Sequence, residues 1–126
     1  MDQIFDENQP IYLQIKYRLY ARIVCREFKS GDKLPGVIDA AMFYRVNHNT
    51  IQRVYQEMVR EGVAVTRRGE GTFVTDNGDI LEKMRQDILN TTLADFLRQM
   101  RLFGAGEEEI IRLVQKSLGE MDNQRE

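Results

Sequence analysis

The chain has 126 residues, 42% of them hydrophobic, with a formal charge of −2 and a pI near 5.5. That length suits one domain, or a small domain with an appendage, and no run of about 18 apolar residues is available to span a membrane. A single cysteine, Cys25, excludes an internal disulfide, and with no expected signal peptide in the acidic, polar first residues it points to a cytoplasmic location.

Residues 1–9 are polar, and only Ile4 or Phe5 is expected to pack back onto the body. Pro10 suits the first position of a helix, where its missing N–H would be unpaired anyway. Ile11, Ile15, Leu19 and Ile23 follow as an i, i+4 ladder flanked by Tyr12, Val24 and Phe28. This predicts a first helix of about five turns, ended by Ser30-Gly31, with one face on the core. Cys25 falls within that pattern and is expected as an inert, partly buried thiol. Leu34 is the expected apolar anchor of the loop that follows, since Pro35 pushes it into an extended conformation.

A short second helix is predicted over residues 37–45, with Gly36 at its cap and Val37, Ala40, Ala41 and Tyr44 facing inward. Only a few residues then separate Tyr44 from Asn47, as a helix-turn-helix requires. Asn47 can cap a third helix, in which Ile51, Val54, Tyr55 and Met58 form one apolar stripe at i, i+3, i+4 and i+7. Gly62 stands where a left-handed residue ends such a helix. Residues 63–66 and 72–75 are rich in β-branched residues around the turn Arg68-Gly69-Glu70-Gly71, which predicts a hairpin. Opposite the apolar stripe lie His48, Asn49, Gln52, Arg53 and Gln56, groups able to read base edges or hold phosphates. A polar-faced helix leading into a basic-tipped hairpin is how a winged helix-turn-helix presents itself to DNA.

Asp76-Asn77-Gly78 is a boundary signal, dividing a winged domain over residues 1–76 from a two-helix module over 77–126. Beyond it Leu81, Met84, Ile88, Leu89, Leu93, Phe96, Leu97, Met100 and Phe103 make a broad helical stripe stopped by Gly104. Glu107, Glu108 and Glu109 open a last helix at the positive end of its dipole. Ile110, Ile111, Val114 and Leu118 are its expected buried side, and Gly119 begins a polar tail. Two appended helices cannot cover so wide a stripe alone, which points to an identical partner across a two-fold axis. The fold class is therefore mainly α with a small β-hairpin: a winged helix-turn-helix domain plus a C-terminal helical dimerisation module.

The charge balance is not that of a generic nucleic-acid binder. Residues 1–76 hold 11 Lys and Arg against 10 Asp and Glu, while residues 77–126 hold 7 against 10. Affinity for DNA must come from local placement: residues 45–72 hold five basic side chains against three acidic. Arg53, Arg67 and Arg68 lie on the surfaces that a winged domain turns to the backbone, and the amides of Asn49 and Gln52 can pair bidentately with adenine. His48 is the sole histidine, with no second ligand at metal spacing. There is no Ser–His–Asp or Cys–His arrangement, phosphate loop or HExxH, so neither catalysis, a metal nor a cofactor is expected.

The segments PIYLQI at 10–15, GDKLP at 31–35, VNHNTI at 46–51, YQEM at 55–58, Glu61-Gly62 and RRGEGTFV at 67–74 occur in that order. Together they resemble the GntR family of bacterial transcription regulators, and the short helical remainder is similar to its YtrA-like branch. The resemblance implies a homodimer on a double-stranded DNA operator, with the third helix in the major groove and the wing against the minor groove. By position it implies polar contacts from Asn47, Asn49 and Thr50 and base reading by His48 and Gln52. It places Arg67, Arg68 and Gly69 at the wing. Gly36 and Ile38 depart from the Ser and Arg usual in that family. The function expected is sequence-specific regulation of transcription, as a repressor on an inverted repeat with half-sites about one DNA turn apart. No separate sensor domain fits the remaining chain, so any small-molecule effector would lodge in the helical interface. The alternative is a protein-interaction or anti-regulator module that kept the scaffold and lost DNA affinity, in keeping with Ile38 and the acidic charge.

Overall fold

A computed structural model describes residues 8–125 in two compact units, one through Gln86 and one from Asp87. The packing expected of Ile4 or Phe5 lies outside the described residues. The first unit holds α1 (Ile11–Val24), α2 (Val37–Tyr44), α3 (His48–Arg60), β1 (Ala64–Arg67), β2 (Gly71–Val74) and the start of α4 (Gly78–Leu102). The second holds the rest of α4 and α5 (Glu107–Arg125). No described helix is long and apolar enough to cross a membrane.

The core of the first unit follows from three apolar stripes. Ile15, Leu19 and Ile23 of α1 meet Ala40, Ala41 and Tyr44 of α2 and Ile51, Val54, Tyr55 and Met58 of α3, all buried. Leu34, Val63, Ala64 and Val74 close the side towards the hairpin. Leu34 is held there because residues 31–34 run beside β2. Leu34 N–H donates to Thr72 O at 2.8 Å, Val74 N–H to Asp32 O at 2.8 Å, and Gly31 N–H to Val74 O at 3.0 Å. What the sequence presents as a loop thus serves as a third extended segment on the two-stranded sheet.

Three expectations for α1 are corrected. Pro10 stands at the N-cap with ψ 132°, and the helix begins at Ile11; the missing N–H is as harmless one position earlier. The helix ends at Val24 rather than at Ser30-Gly31, because Arg26 turns left-handed at φ 64°. Arg26 N–H then bonds Ile23 O and Glu27 N–H bonds Arg22 O, at 3.1 and 2.8 Å, which satisfies the last carbonyls as a Schellman turn does. Phe28 is carried back over the helix end, where its ring lies 4.3 Å from the Arg22 guanidinium. Cys25 is exposed, not partly buried, since it caps the helix on the solvent side.

A charged cluster joins α1 to α3. Lys16 is buried, with Nζ 2.7 Å from Glu61 Oε2 and 3.4 Å from Glu57 Oε2, and the Tyr20 hydroxyl donates to Glu61 Oε1 at 2.7 Å. Burial works against charge at both ends of the pair. For Glu61 the bonds from Lys16 and Tyr20 outweigh it and hold the carboxyl below its ordinary value. For Lys16 the two carboxylates outweigh it and hold the ammonium above its own. Glu61 therefore contributes stability that is full above about pH 4.3 and is lost as pH falls through its lower folded value. The Lys16 contribution is full below about pH 10.4 and is lost as pH rises through its higher folded value. With the Glu61 side chain 37% exposed, Glu61→Gln is expected to cost about 1 kcal/mol at neutral pH. Urea titrations from pH 7 to 3 should show the loss shrinking towards zero in acid. A loss that stays constant with pH would refute the linkage.

In the second unit α4 ends as the sequence requires. Gly104 takes φ 84°, with Gly104 N–H bonded to Arg101 O and Ala105 N–H to Met100 O, each at 3.0 Å. The helix α5 does not stop at Gly119 but continues to Arg125, because one glycine inside a helix costs only about 1 kcal/mol. Of its expected buried side, Ile110 is buried, Val114 is half-buried, and Ile111 and Leu118 are exposed. Leu89, Leu93 and Phe96 of α4 are likewise exposed.

Candidate nucleic-acid interface

Everything on this surface depends on how α3 is held. A tight turn separates α2 from α3: Arg45 is left-handed at φ 57°, and Val46 N–H donates to Ala41 O at 3.0 Å. Asn47 then caps α3, its Oδ1 accepting from Asn49 N–H at 2.8 Å. That occupies the side-chain oxygen of Asn47 and leaves its amide nitrogen for an acceptor such as a phosphate. Behind the helix the Tyr55 hydroxyl donates to Pro35 O at 2.6 Å. Burial, reinforced by Tyr44 and opposed by Arg22, pushes the Tyr55 phenol up, so it stays a proton donor at any physiological pH. At its far end α3 closes with Gly62 at φ 82° and the bonds Gly62 N–H to Val59 O and Val63 N–H to Met58 O, both at 3.0 Å.

With its stripe buried, α3 turns His48, Asn49, Gln52, Arg53 and Gln56 outward, all exposed, and Thr50 half outward. Arg53 is positioned: its guanidinium lies 3.6 Å from the centre of the Tyr12 ring. A stacked guanidinium keeps its edge donors in one plane, the arrangement that suits an oxyanion. Tyr12 was not singled out in the sequence as a site residue, because only the packing of α1 on α3 brings the two together.

The hairpin pairs Ala64 with Val74 through Arg67 with Gly71. Its loop is three residues, Arg68-Gly69-Glu70, with Glu70 N–H bonded to Arg67 O at 2.9 Å. Gly69 at φ 79° and Gly71 at φ 124° both sit where side chains are disfavoured. Arg67 lies over the Phe73 ring at 4.3 Å, and Arg67, Arg68 and Gly69 are exposed. A Cβ on Gly71 would come within 2.8 Å of Lys33 Cε, so Lys33 lies against the wing as a further cation. Its only signal in the sequence was membership of the GDKLP segment. Between helix and wing runs a groove of about 400 Å³, lined by Gln52, Gln56, Thr66 and Thr72 among others. A second shallow groove, of about 430 Å³, places Asn47 and His48 beside Ile38 and Met42 of α2. The helix residues thus form one face, which these grooves extend towards the wing at one end and α2 at the other. Among the described residues no cluster of three or more His, Cys, Asp or Glu could hold a metal.

The profile of bacterial regulatory proteins of the gntR family matches residues 11–74. The helix-turn-helix-type transcriptional regulator YhcF of Bacillus subtilis is 41% identical over 111 residues, which cover 88% of this chain and 92% of that protein. The transcriptional repressor YtrA of the same organism is 40% identical over 70 residues, 56% of this chain and 54% of that one. Among solved structures, a GntR family transcriptional regulator from Listeria monocytogenes superposes with a TM-score of 0.83 at 35% identity, covering 89% of this chain and 98% of that chain. YtrA from Sulfolobus acidocaldarius, a GntR-family transcription factor, superposes with a TM-score of 0.56 at 29% identity, over 74% of this chain and 96% of that one. The chain belongs to the GntR family, in its YtrA-like branch, and is a DNA-binding regulator of transcription rather than an enzyme.

Proposed function

We propose that this chain is a cytoplasmic repressor that binds an inverted-repeat operator as a homodimer. In this reading residues 1–76 read the DNA and residues 77–126 join the two copies. The observation that carries it is the exposed face of α3, where His48, Asn49, Gln52, Arg53 and Gln56 stand clear of the core beside a wing bearing Arg67 and Arg68. The α3 helix enters the major groove, where Gln52 and His48 meet base edges and Asn47, Asn49 and Thr50 fix the start of the helix. The wing lies along the adjacent minor groove, with Arg67 and Arg68 on phosphates and Gly69 allowing the backbone close. Arg53, braced by Tyr12, takes a phosphate. The repressor name of the Bacillus subtilis relative YtrA supports the direction of regulation, and the exposed apolar residues of α4 and α5 support the partner.

Selection of bound duplexes from a random pool, followed by salt titration, tests the reading. Binding should weaken with a log–log slope of about −0.9 per neutralised phosphate, on a site with two-fold symmetry. Gln52→Ala is expected to relax the preference at one base pair per half-site by about 1–3 kcal/mol while leaving the salt slope unchanged. A selected motif identical for the parent and this variant would remove Gln52 from base reading. The exposed Ile38 favours a second reading, a protein-interaction or anti-regulator module; that one predicts no enriched duplex even at low salt.

A further inference from the structure

We propose that the apolar edge formed by Ile38 and Met42 reads the 5-methyl group of a thymine in each operator half-site, an inference that rests on the DNA-reading role proposed above. Both residues lie on α2, four apart and therefore on one face. At 62% and 72% exposed they are the two most exposed large apolar side chains among the described residues of the first unit. An isolated exposed apolar residue is ordinary. These two share a groove with Arg45, Asn47 and His48, so the edge is continuous with the polar face of α3.

The chemistry of the edge selects its occupant. In the major groove the four base pairs differ in their donors and acceptors, and only the pair containing thymine adds an apolar group, the C5-methyl. A branched aliphatic chain offers no hydrogen bond to the other edges and a thioether only a weak one, so both would chiefly strip water from them. A methyl group set between them gains contact and loses nothing. A protein partner fits less well, because a stable interface needs about 800 Å² from each side, and two side chains on one turn of helix supply a small part of that. Arg45, at the rim of the same groove, is placed to take the neighbouring phosphate and hold the edge against the base.

The test uses the full chain and a duplex selected from a random pool. Each thymine is replaced in turn by deoxyuridine, which removes the methyl group and keeps every donor and acceptor. At one thymine per half-site the affinity should fall about fourfold, the worth of one buried methyl-sized group, and about fifteenfold when both half-sites are changed. The double variant Ile38→Ala, Met42→Ala should bind more weakly and be indifferent to deoxyuridine at that position. It should keep the parent's salt slope, which shows that it is folded. Tolerance of deoxyuridine at every position by the parent chain, or undiminished sensitivity in the double variant, would overturn the inference and leave the DNA-reading role standing. If no duplex is enriched at low salt, that role fails and the inference falls with it.

Discussion

A chain carrying Arg67→Ala and Arg68→Ala is expected to bind its operator about a thousandfold more weakly than the parent at moderate salt. Its log–log salt dependence should be shallower by roughly 3.6. The size follows from symmetry. In the proposed dimer, two arginines from each of two protomers would make four phosphate contacts, each releasing about 0.9 of a counterion and each worth about 1 kcal/mol in a solvated groove. Because phosphate contacts carry no sequence information, the loss should be alike for operator and unrelated duplex. Arg67 also lies over the Phe73 ring, so its removal exposes that ring and costs the hairpin about 0.5–1 kcal/mol. The core behind the hairpin rests on Leu34, Val63 and Val74, none of which is touched, so the thermal midpoint should fall by only a few degrees. Fluorescence anisotropy over a salt series measures both slope and affinity. An unchanged slope in a folded double variant would take the wing off the DNA.

Leu93→Glu combined with Phe96→Glu should convert the protein to monomers at micromolar concentration, with the dimer dissociation constant raised more than a thousandfold. Both residues lie on α4, three apart, and both are exposed in the single chain. Leu93 is 54% exposed and Phe96 37%, so glutamates there reach solvent in the isolated protomer, which loses about 1–2 kcal/mol from the covered part of the Phe96 ring. In a two-fold interface each substitution counts twice, and a carboxylate removed from water without a partner costs several kcal/mol. Operator affinity should fall with the dimer, by about 10²–10⁴, because two heads joined together present the second half-site at millimolar effective concentration. Sedimentation equilibrium of the parent and the variant decides it. A parent chain that sediments as a monomer, or a variant that remains a dimer, would refute the proposed role of these residues.

The elements carrying the proposed reading face are the most legible part of the chain. The spacing of Ile51, Val54, Tyr55 and Met58 places α3, and the same spacing leaves His48, Gln52, Arg53 and Gln56 opposite. Gly62 and Gly104 end helices where a residue without a Cβ is needed. The hairpin is legible from its β-branched runs and glycines, although its strands lie one residue later in β1 and earlier in β2 than those runs suggest. The end of α1 is not legible in the sequence because it depends on a backbone conformation that composition does not announce: Arg26, not a glycine, takes the left-handed turn.

By itself the sequence determined the periodicities, the caps and the turns, because those depend on neighbours within about one helical turn or one hairpin. It therefore determined which side of α3 is buried and which is left exposed. Only the tertiary structure decided the long-range pairings. It set Tyr12 under Arg53, closed Lys16 and Tyr20 on Glu61, drew residues 31–34 alongside β2, and placed Ile38 and Met42 next to the start of α3. These contacts join residues that the chain separates by loops, and local propensity has no term for them; they form because the buried stripes of three helices must meet in one core.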